Sequence, residues 1–266
     1  VTGVQTCALP IYRIDYITMA TAGNSTDFGD TIGASCYYTN IGVISNNTIG
    51  CFSGGYHETT TYTKTNIIQK ITIQTTGNAT DFGDLAAAFY YGTSCSDGTR
   101  AFSFGGYNNS TATLLNNIQQ TVIATTGNAT DVGDISVPSY FNASLSNATR
   151  AVCAVGRTRE NATSGSFSYV NTMEYITTAS AGNATDFGDS TQSRGQHAGC
   201  SDATRGLFGA GYTGATQNTI DYITMANTGN ATDFGDLTVA GYGFNSSAGS
   251  GSGDRGLFGS MLGRYG

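Results

Sequence analysis

The stretch Gly182-Asn183-Ala184-Thr185-Asp186-Phe187-Gly188-Asp189 decides the fold of this 266-residue chain, because its pattern occurs five times. Copies of Gly-Asn-x-Thr-Asp-x-Gly-Asp begin at Gly23, Gly77, Gly127, Gly182 and Gly229. Successive copies are therefore 54, 50, 55 and 47 residues apart. Self-similarity at a period of about fifty residues indicates a repeat architecture.

A second recurring segment separates these copies and completes the repeat. This segment begins with Thr, which is usually followed by Arg, and then continues with small and apolar residues up to a glycine-rich end. It covers residues 48–56, 99–107, 149–157 and 204–212, with a degenerate fifth copy from residue 254. The next segment, residues 220–226 in one repeat, is rich in β-branched and aromatic residues that favour strands. Asn and Gly then supply a turn. Each repeat predicts four strands, and the chain predicts an all-β propeller with about five four-stranded blades.

The repeat resembles the kelch family of β-propellers. Gly54-Gly55 and Gly105-Gly106 stand where kelch repeats have a double glycine, although the chain has no tryptophan. The resemblance implies that the motif phenylalanines take the packing role of the kelch tryptophan; they are Phe28, Phe82, Phe187 and Phe234. The amino-acid sequence of the repeat is also similar to that of repeat proteins encoded by marine tailed phages and found in metagenomes. That similarity implies a virion or an extracellular surface as the setting.

The first eleven residues match nothing in the repeats. They look like the translation of a sequencing adapter, so we expect residues 1–11 not to be native. Residues 12–266 are then predicted to form a single propeller domain that is truncated at its N-terminus, with a blade number of five or more. Pairing between the first and last segments would seal a ring of five blades, whereas an intact protein of six to eight blades would leave unpaired strand edges in this fragment.

Acidic residues are concentrated in the repeated motif, which holds ten of the 18 in Asp-x-x-Asp pairs. One interpretation is a calcium site, since Ca²⁺ prefers oxygen ligands; the candidates are Asp27, Asp30, Asp81, Asp84, Asp233 and Asp236. The other is that Asp and Asn cap the turn by accepting backbone hydrogen bonds. We favour capping and predict no metal, because calcium loops place their ligands more densely.

Arginine and cysteine also recur at fixed places. Arg100, Arg150, Arg205 and Arg255 share one position, where they either line a channel for anionic sugars or pair with acidic turns; we favour the pairing. Cys51 aligns with Phe102 and Leu207, as expected of a small buried hydrophobic residue. The cysteines form no metal-binding spacing, so we expect free thiols.

Composition disfavours several classes of function. The net charge of −7 disfavours nucleic acid as a partner, and no apolar run is long enough for membrane insertion as a helix. The only histidines, His57 and His197, occupy non-equivalent positions, so we predict no enzyme and no cofactor.

Variable loops after each glycine-rich strand remain as candidate binding elements. We predict a non-catalytic module that contacts a host surface glycan or protein, or other virion proteins. The alternative is a purely structural repeat array or spacer without a ligand. The candidate binding residues are His57, Tyr62, Asn108, Asn109, Arg157, Arg159, Glu160 and Tyr212.

Overall fold

The computed structural model describes residues 13–18, 20–32, 42–57, 63–108, 111–242, 250–251 and 256–258. This part of the chain is all-β, with every sheet antiparallel. It contains no helix that is long and apolar enough to cross a membrane. The all-β prediction is therefore confirmed, while residues 1–11 lie outside the described part.

The strands form four sheets of four strands, which we name A to D, and four smaller sheets. A two-stranded sheet comes first, with β1 (Arg13–Tyr16) and β2 (Thr26–Asp30). Sheet A contains β3 (Gly42–Ser45), β4 (Ile49–Ser53), β7 (Ile67–Thr72) and β8 (Thr80–Asp84), with the small hairpin β5 (Tyr56–His57) and β6 (Thr63–Lys64) between β4 and β7. Sheet B contains β9 (Thr93–Ser96), β10 (Arg100–Asn108), β11 (Thr113–Val122) and β12 (Thr130–Asp134).

The second half of the chain repeats this order. Sheet C contains β14 (Ala143–Ser146), β15 (Arg150–Ala154), β18 (Thr172–Thr177) and β19 (Thr185–Asp189). A three-stranded sheet, the minor sheet, contains β13 (Ser139–Tyr140), β16 (Arg157–Arg159) and β17 (Phe167–Tyr169). Sheet D contains β20 (Ala198–Ser201), β21 (Arg205–Gly209), β22 (Gln217–Thr224) and β23 (Thr232–Gly241), and a last pair contains β24 (Ser250–Gly251) and β25 (Gly256–Leu257). Four strands in chain order are therefore confirmed for four repeats.

The first strands of consecutive sheets contact one another along the series β3, β9, β14, β20 and β24. Serine hydroxyls link three of these contacts. Ser146 Oγ donates to the carbonyl of Ser96 at 2.7 Å, and Ser201 Oγ donates to the carbonyl of Ser146 at 2.7 Å. Ser96 Oγ reaches the carbonyl of Ser45 at 3.3 Å. Each sheet is thus joined to the next at its first strand.

The repeated motif joins the sheets again at their last strands. The Gly127 amide donates to the Phe82 carbonyl at 2.8 Å, and the Ala129 amide donates to the Asp84 carbonyl at 2.7 Å. In return, the Asp84 amide donates to Asn128 Oδ1 at 3.0 Å. The turn of one motif therefore docks on the final strand of the preceding motif, and we call this contact the motif junction.

The motif junction recurs along the chain. In each junction, the Oδ1 of the motif asparagine accepts from the backbone amide of an aspartate in the preceding copy, at 3.0 to 3.1 Å. The pairs are Asn78 with Asp30, Asn128 with Asp84, Asn183 with Asp134 and Asn230 with Asp189. Gly83 has a φ of +147°, and a Cβ there would lie 2.4 Å from the Gly127 carbonyl oxygen. Glycine is required because the two backbones approach too closely for a side chain.

Apolar clusters fill the space between consecutive sheets. Ile68 and Phe82 of sheet A share one cluster with Ala101 of sheet B. In a second cluster, Phe102 of sheet B packs with Cys153 of sheet C. A third cluster joins sheets C and D. The motif phenylalanines at positions 28, 82 and 187 are 7%, 1% and 2% exposed, so these three side chains are buried. Phe234 differs, because its side chain is 53% exposed.

Four cysteines lie within these interiors as free thiols: Cys51, Cys95, Cys153 and Cys200. Burial raises the pKa of Cys51 to about 11, although Lys70 lowers it in part. Burial likewise raises the pKa of Cys95 to about 12 and that of Cys200 to about 11. The prediction of buried, unpaired cysteines is confirmed for these four residues.

Candidate functional site

The predicted binding residues lie partly within the described chain. Asn108 ends β10, Arg157 and Arg159 lie in β16, and Glu160 follows β16. Tyr212 follows the glycine-rich strand of sheet D. The backbone of His57 lies in β5, while Tyr62 and Asn109 fall outside the described residues.

One repeat position recurs in this region, directly after the glycine-rich strand. Tyr107, Arg157 and Tyr212 occupy it in sheets B, C and D. Each forms an antiparallel bridge to the segment that enters its sheet, through Tyr90, Tyr140 and Gly195 respectively. Two of the predicted residues are therefore equivalent, and the bridge fixes where their side chains begin.

Two hairpins bring residues from separate repeats together. The β16–β17 hairpin extends from sheet C toward the long β10–β11 hairpin of sheet B. The Leu114 amide donates to the Ala162 carbonyl at 2.8 Å, and the Arg159 guanidinium lies 5.8 Å from the ring centroid of Tyr107. The 158–171 loop thereby covers the end of the preceding repeat.

Aromatic rings form a continuous cluster beneath these hairpins. Tyr91 lies 4.6 Å from Phe141 and 6.3 Å from Tyr140, measured between ring centroids. Tyr140 lies 5.5 Å from Phe167. These contacts are in the range of favourable aromatic pairs. We call this group, with Tyr90, Tyr107, Tyr169 and the two arginines of β16, the tyrosine–arginine face.

Arg157 lies at the centre of the tyrosine–arginine face. Its guanidinium carbon is 4.4 Å from the ring centroid of Phe167 and 5.2 Å from that of Tyr169. Its Nη1 donates to the Tyr140 hydroxyl at 3.0 Å. Burial raises the pKa of Tyr140, an effect that Arg157 partly offsets, so this hydroxyl stays protonated at neutral pH. The stacking holds the guanidinium in one orientation.

Arg159 stacks on the same phenylalanine at 4.0 Å from its centroid, and its Nη1 donates to the Thr163 carbonyl at 3.2 Å. Within the described residues, neither Arg157 nor Arg159 has a carboxylate oxygen within 4.0 Å. The Nε atoms of both are also buried without a hydrogen-bond partner there. In a chain of net charge −7, the described residues thus offer neither of these two positive charges an ion pair.

A second aromatic group continues from this face toward sheet D. Tyr169 lies 6.1 Å from Tyr212, and Tyr212 lies 5.2 Å from Tyr242, between ring centroids. All three side chains are half-buried. The predicted residue Tyr212 therefore connects to Arg157 through Tyr169, while Glu160 stays exposed at the hairpin end.

No known protein family matches this chain, and no curated protein shows detectable similarity to it.

The acidic motifs act as turn caps in the structure. Asp81 Oδ1 accepts from the Gly83 amide at 3.0 Å, and Asp233 Oδ1 accepts from the Gly235 amide at 2.9 Å. Asp84 and Asp30 take part in the motif junction through their backbones. In the described chain, no three His, Cys, Asp or Glu residues are grouped so as to hold a metal ion. The capping expected of the motif aspartates is thus seen at Asp81 and Asp233.

The recurring arginines make contacts within the architecture. Arg100 pairs with Asp97 of its own turn, Nε to Oδ2, at 3.3 Å. Arg150 lies 4.6 Å from the Tyr175 ring centroid and donates to the Met225 carbonyl of the next repeat at 2.9 Å. Arg205 lies over Tyr222, and Arg255 is outside the described residues. One of the three described arginines pairs with an aspartate; the other two stack on tyrosines.

A buried ion pair distinguishes sheet D from the other sheets. Arg194 Nη2 donates to Asp221 Oδ2 at 2.9 Å, with side chains 1% and 0% exposed. Thr191 Oγ1 also donates to Asp221. His197 lies nearby, with neither ring nitrogen hydrogen-bonded in the described structure. Burial, reinforced by the positive charge of Arg194, lowers the pKa of His197 well below its usual value.

Sequence reasoning missed most of the aromatic members of the site. Tyr90 and Tyr140 stand at the same distance before the recurring Thr-Arg pair, and each is followed by an aromatic residue. This aromatic pair in two repeats was a usable signal. The fourth repeat has Gly195-Gln196 there, which marks the place where the cluster changes.

Proposed function

We propose that this chain is a non-catalytic binding module whose tyrosine–arginine face contacts a glycan. The observation that supports the proposal is the group of partly exposed tyrosines around two arginines that have no ion pair within the described part of the chain. Tyrosine rings offer a flat apolar surface with a hydroxyl at the edge, and they lose little conformational entropy on binding. Such surfaces fit the apolar face and the hydroxyls of a sugar ring.

The same proposal includes the architecture, a kelch-like propeller closed into a ring. In sheet D, β21 pairs with β22 so that Leu207 faces Tyr222. The equivalent pairing of β25 with β1 would place Leu257 opposite Tyr16 and complete a fifth four-stranded blade in the order β24, β25, β1, β2. The contact of β24 and β25 with β20 supports this position.

Exposed apolar residues support closure. Ile17 is 65% exposed, whereas the equivalent Ile176 and Ile223 are 3% and 2% exposed. Among the described residues, a Cβ at Gly235 would meet nothing within 4 Å, whereas at Gly83 and Gly188 it would lie 2.4 and 2.5 Å from a carbonyl oxygen of the next motif. Docking of the Gly23-Asn24 turn on Phe234 to Asp236 would bury both edges through a fifth motif junction.

The substitution Asn24→Ala tests closure. If the ring closes, N24A lowers the free energy of unfolding about as much as N128A, because both remove one motif-junction hydrogen bond. Sedimentation equilibrium of both variants shows whether the chain is monomeric. An N24A variant as stable as the wild type, or destabilised only where oligomers form, contradicts closure within one chain.

The proposed setting is a virion or another extracellular surface, with a host glycan or protein, or other virion proteins, as partner. The resemblance of the repeat sequence to phage-encoded proteins supports this setting. The recurrent motif junctions support the second candidate, a structural array without a ligand, because such an array needs contacts that join one repeat to the next.

A glycan array with the purified chain separates the two candidates. We expect retention of a limited set of glycans, with at least tenfold weaker binding by Tyr107→Ala and Tyr169→Ala. Tyr222→Ala, which removes a tyrosine that stacks elsewhere on Phe234, is the matched control. If the array retains nothing, the binding proposal fails and the structural array is favoured. If glycans are retained but all three variants bind equally, the tyrosine–arginine face is not the binding site.

A further inference from the structure

One face of the minor sheet gathers the side chains of the candidate site. Tyr140 is directly opposite Arg157, which is directly opposite Tyr169. Arg159 is directly opposite Phe167. Because alternate residues of a strand point to the same face, Arg157 and Arg159 project together. The two guanidinium groups therefore share one surface with three aromatic rings.

As far as the structure describes the chain, the charge of this surface is not compensated locally. The described chain places no carboxylate oxygen within 4.0 Å of either guanidinium. Glu160, the acidic residue next to Arg159, is exposed at the hairpin end, where its side chain lies against Gly165. In an acidic protein, an arginine pair held this way forms a local positive site.

Stacking also prepares the guanidinium groups for a ligand. Both lie within 4.4 Å of the Phe167 centroid, and Arg157 is further held by the Tyr140 hydroxyl. An arginine fork matches the geometry of a carboxylate or sulfate, and a pre-oriented fork loses less entropy on binding. The neighbouring tyrosine rings supply the surface for the sugar that carries the anionic group.

We propose that Arg157 and Arg159 bind the anionic group of an acidic glycan. This inference rests on the proposed function and narrows its ligand class to sugars bearing a carboxylate or a sulfate. The shared chemistry is an oxyanion attached to a sugar ring, and a uronic acid and a sulfated sugar are its two sources.

Isothermal titration calorimetry of the full chain at low ionic strength tests the inference. The probes are trigalacturonic acid, its fully methyl-esterified form, and a sulfated galactose oligosaccharide. We expect an anionic probe to bind at least tenfold more tightly than the neutral ester, with the difference shrinking as salt rises. The anion that binds more tightly identifies the source.

Variants assign the effect to the two arginines. We expect Arg157→Gln and Arg159→Gln each to lower the affinity for the anionic probe about tenfold and to leave the affinity for the neutral ester unchanged. Arg159→Lys retains the charge without the fork and should fall between. Arg205→Gln, at an arginine that stacks on Tyr222 in sheet D, is the control and should bind as the wild type does.

The outcomes distinguish this inference from the proposed function. Equal affinity for anionic and neutral probes overturns the arginine assignment and leaves glycan binding in place. Unchanged anionic affinity in both glutamine variants overturns it as well. Binding of no glycan, here and on the array, overturns both. Thermal unfolding of each variant verifies that a lost affinity does not reflect a lost fold.

Discussion

The side-chain oxygen of Asn128 accepts a hydrogen bond from the backbone amide of Asp84, 44 residues earlier in the chain, at 3.0 Å. The same relationship links Asn183 with Asp134 and Asn230 with Asp189. One short motif therefore supplies both partners of the contact, the asparagine from one copy and the aspartate backbone from the copy before.

Replacing this asparagine should weaken the contact between two sheets. We expect Asn128→Ala to lower the free energy of unfolding by about 1 kcal/mol, because one hydrogen bond is lost. Urea denaturation measures the change. Asn227→Ala, at an exposed position in the turn after β22, is the control and should change stability by less than about 0.5 kcal/mol. Equal values for the two variants would argue against the role of the motif junction.

Gly83 should tolerate no side chain. We expect Gly83→Ala to cost about 2 to 4 kcal/mol, since a Cβ 2.4 Å from the Gly127 oxygen adds crowding to the strain of a positive φ. Gly98→Ala is the control, because Gly98 also has a positive φ, +86°, but its Cβ would meet nothing within 4 Å among the described residues. It therefore carries backbone strain without the crowding. Denaturant unfolding compares them, and a G83A variant as stable as G98A contradicts the close approach.

The buried pair of Arg194 and Asp221 should be essential as a pair. We expect Asp221→Asn to cost about 3 to 5 kcal/mol, because it leaves the Arg194 charge buried without its partner. Sheet B has Phe89 and Gln119 at the equivalent positions, both buried. The double variant Arg194→Phe with Asp221→Gln should therefore be more stable than D221N. A double variant at least as unstable as D221N would show that the charges themselves are not decisive.

The four buried thiols should react slowly in the folded protein. Their raised pKa values leave almost no thiolate at pH 8, and the thiolate is the reactive form. In a Cys7→Ser/Cys36→Ser variant, we expect a thiol-reactive chromogenic disulfide to label the chain only as it unfolds, and then at four sites. Rapid labelling in native buffer would contradict this burial.

His197 should make the fold sensitive to mild acid. Its folded pKa lies well below 6.5, so the unfolded state binds the proton first and stability is lost as pH falls below about 6.5. Between pH 7 and 5.5 we expect the free energy of unfolding to fall by up to about 1.4 kcal/mol per pH unit. The melting temperature, measured across this range, should fall with it. His197→Asn, which copies Asn142 at the equivalent position, should flatten this dependence. The His57→Gln control should retain it; an unchanged slope in H197N would contradict the assignment.

The repeat pattern alone was sufficient to predict local structure. Four strands per repeat and the buried, free cysteines follow from periodicity and from which residue types exchange at one position. These features depend on neighbours within one repeat, which the sequence places at fixed distances. Burial of the motif phenylalanines was implied only by the resemblance to a known family. Phe234 is the exception in the structure, because burial of this residue requires a following motif to dock on it.

Only the tertiary structure shows which repeats meet and where they differ. Arg157 was a candidate from its loop, but Tyr140, Phe167 and Tyr169 became its neighbours through pairing of three strands. The exchange of Phe89 and Gln119 for Arg194 and Asp221 is likewise visible only once the two positions are seen in contact. The physical reason is that the repeat period shows which residues are equivalent. Contacts between residues far apart in the sequence depend instead on how the sheets pack.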